Sequence, residues 1–415
     1  MKKLLAFLSS VSIATPIAIN VVACVPQDKN LLDPLALKNI GTDIDTSKAV
    51  DTSIKGQKIT NFFNLGDSLS DTGGKELVDF EKSGGKSKTV LAGLYDQTYK
   101  SFSNGAPAGA VLNDLLGFEQ MNAGTEWTQT ITREAQQRNF SIGGATVSNP
   151  LLLSSKTGYV SLEKQARALV AKQKLNKDDL VYIDIGGNDL FVIAITMIAQ
   201  EAGIPIQLVQ SAEEILKAAQ ENFREAIFTL LNNGARKIVF LYPPDVTSTP
   251  MLYKLTHDFS DPTKSWSEML LNDIGTKIKD IGFSLIDRFT TEINRAQAIY
   301  PNTIATYYLY DTGFETVMKA FEQNLIAQNP EWIEGEDYFM TVGWTGGAKT
   351  TKDTDENGVE ITTMTAVYEI DENHPEEFEN QPERYFFFDN VHPTKWVHEY
   401  MGNELYNAIQ KAGWI

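Results

Sequence analysis

Short apolar, β-branched runs alternate along this chain with longer segments whose apolar positions recur every three or four residues. Five runs read as strands: KITNFFNLG from Lys58, RNFSIGGA from Arg138, DDLVYIDIGGND from Asp178, ARKIVFLYPP from Ala235 and NTIATYYLYD from Asn302. The run from Asp178 is apolar on both faces, as a strand covered by helices on both sides should be. Helical periodicity covers 160–173, 211–233, 265–299 and 394–412. Asn232-Asn233-Gly234 gives the second of these its stop, and Pro393 stands at or just before the first turn of the last. Strand alternating with helix predicts an α/β fold on a parallel sheet, with functional groups at the carboxyl ends of the strands. The apolar stretch from Leu190 to Ile206 reads as a buried helix, with the wall of an acyl pocket as the other reading.

Residues 337–380 break the pattern, being rich in Thr, Gly and acids. They predict a β-hairpin insertion over one face, turning at Asn357-Gly358. Asp353, Asp355, Asn357 and Gly358 also have the spacing that opens a calcium loop. The twelfth position is Met364, where a bidentate Glu is needed, so the hairpin is the better reading.

Composition adds that 42% of the 415 residues are hydrophobic, enough for a large core, and that net charge is −18. An acidic surface repels phosphate backbones, so no nucleic-acid partner is expected. It also repels anionic lipid surfaces, so membrane attachment needs another cause. MKKLLAFLSSVSIATPIAINVVAC supplies one: two Lys, an apolar region and small residues before Cys24, the only cysteine. Val21-Val22-Ala23-Cys24 resembles the lipobox of bacterial lipoproteins, in which cleavage precedes a Cys that is then diacylated. Two acyl chains suffice for stable anchoring. The expected organisation is a signal peptide over 1–23, a tether over 24–58 and one folded domain over 59–415. Localisation follows as the outer face of the cell membrane, lipid-anchored at Cys24. Cleavage leaves 34 basic against 54 acidic side chains, a net −20.

Candidate chemistry begins where the first strand ends, at Gly66-Asp67-Ser68-Leu69-Ser70-Asp71. A nucleophilic Ser68 on a strand-to-helix turn would have small neighbours that let a substrate approach. A serine needs a base within reach, and the chain has four histidines: His257, His374, His392 and His398. His257 and His374 lie in acidic, loop-like stretches, and His398 falls in a helix. His392 follows an apolar run and stands three residues after Asp389, a spacing that lets a carboxylate turn back to the imidazole. The other reading of His392 is a helix-capping loop residue. Asp67, Asp71 and Asp189 read as acids that bind N–H groups of turns and helix starts. Ser70 is the rival nucleophile.

GDSLSDTG, NFSIGGAT, GGND and DNVHPT, in that order, resemble the four sequence blocks of the GDSL esterases and lipases, also called SGNH hydrolases. The likeness runs from about Ile59 to Ala412. It implies a flavodoxin-like, three-layer α/β/α sandwich on a parallel sheet of about five strands. It also implies that Ser68 attacks an ester carbonyl, that His392 is the general base and that Asp389 orients it. Its oxyanion hole would take the Ser68 and Gly144 backbone N–H groups and the Asn188 side-chain amide. No cofactor and no metal are implied. The expected partner is an acyl lipid or a small ester. Alternatives are a glycan O-deacetylase and a non-catalytic surface lipoprotein that binds ligands on a hydrolase scaffold. A metal-dependent hydrolase would need His/Asp clusters that the sequence does not offer.

Overall fold

The computed structural model describes residues 33–128, 131–132, 135–151, 160–201, 210–257, 268–333, 339–368 and 380–415. The chain separates into two compact units, 1–37 and 38–415, and the second holds the fold. Cys24, the residues around it and His374 lie outside the described residues.

Six parallel strands form the central sheet. In chain order they are β1 (Asn61–Gly66), β3 (Asn122–Ala123), β4 (Gln137–Asn139), β5 (Asp179–Asp184), β6 (Lys237–Leu241) and β7 (Ile304–Tyr307). Their spatial order is β3-β4-β1-β5-β6-β7, so the strand that ends before Ser68 sits in the middle. The sheet was expected to have about five strands. The sixth, β3, is two residues long, too short to leave a periodic trace in the sequence.

Alternate residues of each strand go to opposite layers. Phe62, Leu180, Tyr182, Val239 and Leu241 pack with Leu112, Phe321, Met401 and Leu405. Those partners belong to helices α2 (Ala108–Leu115), α8 (Thr312–Gln328) and α9 (Lys395–Lys411). On the other face Phe240 meets Phe223 and Phe289, with ring centroids 4.9 and 5.7 Å away. These rings come from α5 (Ala212–Asn232) and α7 (Glu268–Ile299). The same layer contains α3 (Leu162–Lys172) and α4 (Gly187–Glu201). Buried Arg224 and Glu292 pair at 2.8 Å between α5 and α7. The helix α5 starts on a capping box, Ser211 with Glu214. Leu190, Ile193, Ala194 and Ile198 on α4 are buried, so the described part of 190–206 is a core helix.

Two expectations change. Residues 38–58, read as part of a tether, lie along the domain instead. Val50 bridges Gln173, buried Thr52 donates to the Gln173 side chain, and the Ile40 carbonyl accepts from Asn232. Such contacts remove the chain's freedom to act as a spacer. The segment 337–380, expected as a β-hairpin insertion over one face, also pairs with strands outside itself. Its strands β9 (Ala348–Thr354) and β10 (Glu360–Ala366) form the expected hairpin. Its tip is a three-residue loop, with the Gly358 N–H bonded to the Asp355 carbonyl. However, β10 also pairs, in parallel, with β2 (Ser87–Gly93), which comes from far earlier in the chain. Strand β8 (Phe339–Gly343) pairs in turn with β11 (Tyr385–Phe387), directly before Asp389. The acceptor Asp355 takes N–H groups from Asn357 and Val359, as a hairpin loop requires. Among the described residues no helix is long and apolar enough to cross a membrane. Among them no group of three or more His, Cys, Asp or Glu is placed to hold a metal ion.

Candidate active site

Three strand ends and one long loop meet at the carboxyl edge of the sheet. Strand β1 ends at Gly66, pinned by Gln165 of α3, whose side-chain amide accepts from the Gly66 N–H and donates to its carbonyl, both at 2.8 Å. The chain then turns sharply. Buried Asp67 accepts from the Leu69 N–H at 3.0 Å, and the Ser70 N–H bonds back to the Asp67 carbonyl. Ser68 stands at the top of this turn, partly exposed, while Ser70 is fully buried and donates to Asp184 at 3.2 Å. Ser70 is therefore no rival nucleophile.

Asp71 ties the turn to its neighbours. Its carboxylate accepts from the Gly74 and Lys75 N–H groups, at the start of α1 (Gly74–Lys82). It also accepts from the Gly143 N–H, at 2.6 Å. A turn runs from Ile142 to Ala145, closed by a backbone hydrogen bond, with Gly144 at φ +82°. That left-handed third position of the turn favours glycine. Among the described residues neither the Ser68 nor the Gly144 backbone N–H has an acceptor. Asn188 opens α4 and donates one amide hydrogen to the Ala145 carbonyl at 2.9 Å, which leaves its second for a ligand. Its neighbour Asp189 is buried and accepts from the Val147 and Ser148 N–H groups.

The imidazole arrives from the far end of the sequence. His392 Nε2 lies 2.8 Å from Ser68 Oγ, across 324 positions of chain. Its Nδ1 lies 2.8 and 3.0 Å from the two oxygens of Asp389. The same carboxylate accepts from the Val391 and His392 N–H groups, so it shapes the loop and holds the ring at once. Burial raises the Asp389 carboxyl, but the His392 charge and these hydrogen bonds outweigh it and hold it below its ordinary value. An ionised carboxylate on Nδ1 fixes the proton there and leaves Nε2 facing Ser68 as an acceptor.

His398 is placed elsewhere. It is buried on α9, and its Nδ1 accepts from the Ala108 N–H at the start of α2. Burial, then the charge on His392, push it down to about 3, so it is neutral. The backbone of His257 ends the helix Pro250–His257, which lies away from this cluster in sequence.

Reading from sequence takes SNGAPAG, which follows Phe102, as a segment linking the family's blocks and gives it no contact with the site. Ser103 Oγ donates to the Pro393 carbonyl at 2.7 Å, and Asn104 accepts from the Lys395 N–H at 2.8 Å. Between them the Phe102 ring lies 5.4 Å from the His392 ring, centroid to centroid. Tyr95 directs its hydroxyl at Asp389 from 3.4 Å. SNGAPAG is visible as a motif, but a clamp on a loop about 290 positions away is not.

A hydroxyl bonded to an imidazole, a carboxylate on the ring's other nitrogen and N–H groups without acceptors are the parts that acyl transfer would use. The family model described as GDSL-like Lipase/Acylhydrolase matches residues 62–405, which include all five candidate residues, and assigns the chain to the hydrolases. A search of curated proteins finds no match.

Proposed function

Because the chain belongs to the GDSL-like lipase/acylhydrolase family, we propose that it cleaves carboxylic esters by a serine mechanism. The observation that carries this reading is the unbroken hydrogen-bond line from Ser68 Oγ through His392 to Asp389. Ser68 Oγ attacks the ester carbonyl carbon while its proton passes to His392 Nε2. The carbonyl oxygen becomes an oxyanion, received by the Ser68 and Gly144 N–H groups and the free hydrogen of Asn188. As the tetrahedral intermediate collapses, the bond to the alcohol oxygen breaks and His392 gives that oxygen its proton. Water then repeats the sequence on the acyl-serine and releases the acid. Asp389 stays ionised and stabilises the imidazolium.

The test is a p-nitrophenyl ester series of increasing acyl length, run on the domain and on Ser68→Ala. Turnover without added metal is expected, with kcat reduced about 10⁴- to 10⁶-fold in the variant. Undiminished turnover in Ser68→Ala would overturn the mechanism. A preference for acetyl over longer acyl groups would favour an esterase or glycan deacetylase over a lipase. Anchoring at Cys24 on the outer membrane face belongs to the same proposal. Palmitate labelling, lost in Cys24→Ala, is its check.

A further inference from the structure

Asp389 is buried, and its two oxygens are not equally supplied with donors. Oδ1 accepts from the Val391 and His392 N–H groups at 2.9 and 2.8 Å. His392 Nδ1 lies 3.0 Å from Oδ1 and 2.8 Å from Oδ2. Among the described residues one other group reaches Oδ2, the Tyr95 hydroxyl, at 3.4 Å. A buried carboxylate oxygen with a single donor would leave much of its charge unanswered. Tyr95 is itself buried, and among the described residues its hydroxyl has no other acceptor. Each group therefore meets the other's need.

The scaffold fixes the tyrosine on both sides along the chain. The Leu94 N–H bonds to the Ala366 carbonyl, where β10 ends, and the Asp96 N–H bonds to the Ser103 carbonyl, both at 2.8 Å. Ser103 holds the Pro393 carbonyl in turn, one residue past His392. The Tyr95 ring packs 5.4 Å from Phe388, the residue before Asp389, and edge-on to Phe102 at 6.2 Å. Placing the hydroxyl thus costs little further ordering. Burial, and then the Asp389 charge, push the phenol well above its ordinary value, so it stays a donor across the neutral range.

We infer that Tyr95 is a positioning residue of the acid–base pair: its hydroxyl restrains Asp389 through Oδ2 and shares the charge which that oxygen presents to the imidazole. The inference rests on the serine-esterase reading above. A restrained carboxylate keeps His392 aimed at Ser68. A shared charge pulls less on the ring, so the imidazolium gives its proton to the leaving oxygen more readily. From the other side, His398 of α9 is neutral, and Lys395 turns its ammonium to Glu399 at 3.6 Å. The pH response of the ring is left to Asp389 and, through it, to Tyr95.

Tyr95→Phe removes the oxygen and keeps the ring. The test follows kcat and KM on p-nitrophenyl butyrate from about pH 5 to 9 in the parent domain, Tyr95→Phe, Asp389→Asn and the double variant. Tyr95→Phe is expected to lower kcat about 3- to 10-fold with KM little changed. Because Oδ2 then draws on the ring alone, the acid limb of kcat/KM should move up by about half a pH unit. In the Asp389→Asn background no carboxylate is left to restrain, and the same substitution should cost less than about twofold. A tyrosine that only packs would cost the same factor in both backgrounds and leave the limb in place. An unmoved limb, or an equal loss in both backgrounds, overturns the inference and leaves the esterase reading standing. If the parent domain turns over no ester, both fall together.

Discussion

Asn188 illustrates how much a single side chain is asked to do. One amide hydrogen is spent on the Ala145 carbonyl, which fixes the plane of the amide and aims the other. Asn188→Ala removes that second donor and leaves Ser68, His392 and Asp389 untouched. The expected result is a fall in kcat of about 10²- to 10³-fold with KM little changed, read from steady-state rates. Asp389→Asn acts on the tautomer instead. An amide that donates to Nδ1 would move the ring proton to Nε2, where it blocks acceptance from Ser68, and kcat should drop about 10⁴-fold. A loss under tenfold in either variant would count against the assigned role. At this scale the structure joins Ser68 to His392 and His392 to Asp389, residues for which, with Gly144 and Asn188, the sequence offered motifs. It was silent where the role depends on a distant contact. Nothing local marks Gln165 as the clamp on Gly66, or separates buried Ser70 from Ser68.

The elements that carry the site differ in how they hold it. Strands β1 and β5 are central and pair residue for residue. The Asp389–His392 loop has no such ladder and rests on the two-stranded β11–β8 pair, on Ser103 and Asn104, and on Asn390, which accepts from the Met251 N–H at 2.9 Å and donates to the Gly346 carbonyl. Gly343, the last residue of β8, has its Cβ position 2.4 Å from the Asp389 carbonyl oxygen. A methyl there cannot fit without moving the loop that carries His392. Gly343→Ala should therefore lower kcat/KM about 10²-fold, the cost of roughly an ångström of misplacement, while the melting transition stays cooperative. An unchanged kcat/KM would show that the loop gives way elsewhere. Long, apolar elements were the ones legible in advance. Strand β5 has every residue buried, and α5 has its cap and stop written in Ser211, Glu214 and Asn233. Strands β3, β8 and β11 span two to five residues, and β2 is half-buried along all but its exposed last residue, Gly93, so none shows a clear period. Their pairing is decided by partners far along the chain, and that is tertiary information.

Across the whole molecule the carboxyl edge concentrates buried acid. Asp67, Asp71, Asp184 and Asp189 are all buried there, each accepting from N–H or O–H groups that shape the turns. Burial raises all four above the ordinary carboxylate value, and Asp71 and Asp184 reach about 6. For Asp67 the charge of Asp184 adds to burial. A carboxyl at about 6 when folded and 3.8 when unfolded binds its proton more tightly in the native state. Stability from that group is complete below about pH 4 and is lost as pH rises toward 6, a loss of about 3 kcal/mol at neutral pH. Asp184→Asn cannot ionise, and it relieves Asp67 as well. The variant should match the parent near pH 4 and gain on it steadily to pH 7. Denaturant midpoints measured at both ends and between them give the difference, which holds the Asp184 contribution and the relief of Asp67 together. A difference that stays flat from pH 4 to 7 would mean that Asp184 is ionised in the native state throughout. Asp184 would then hold the Ser68 turn as a carboxylate, without a pH-dependent loss of stability.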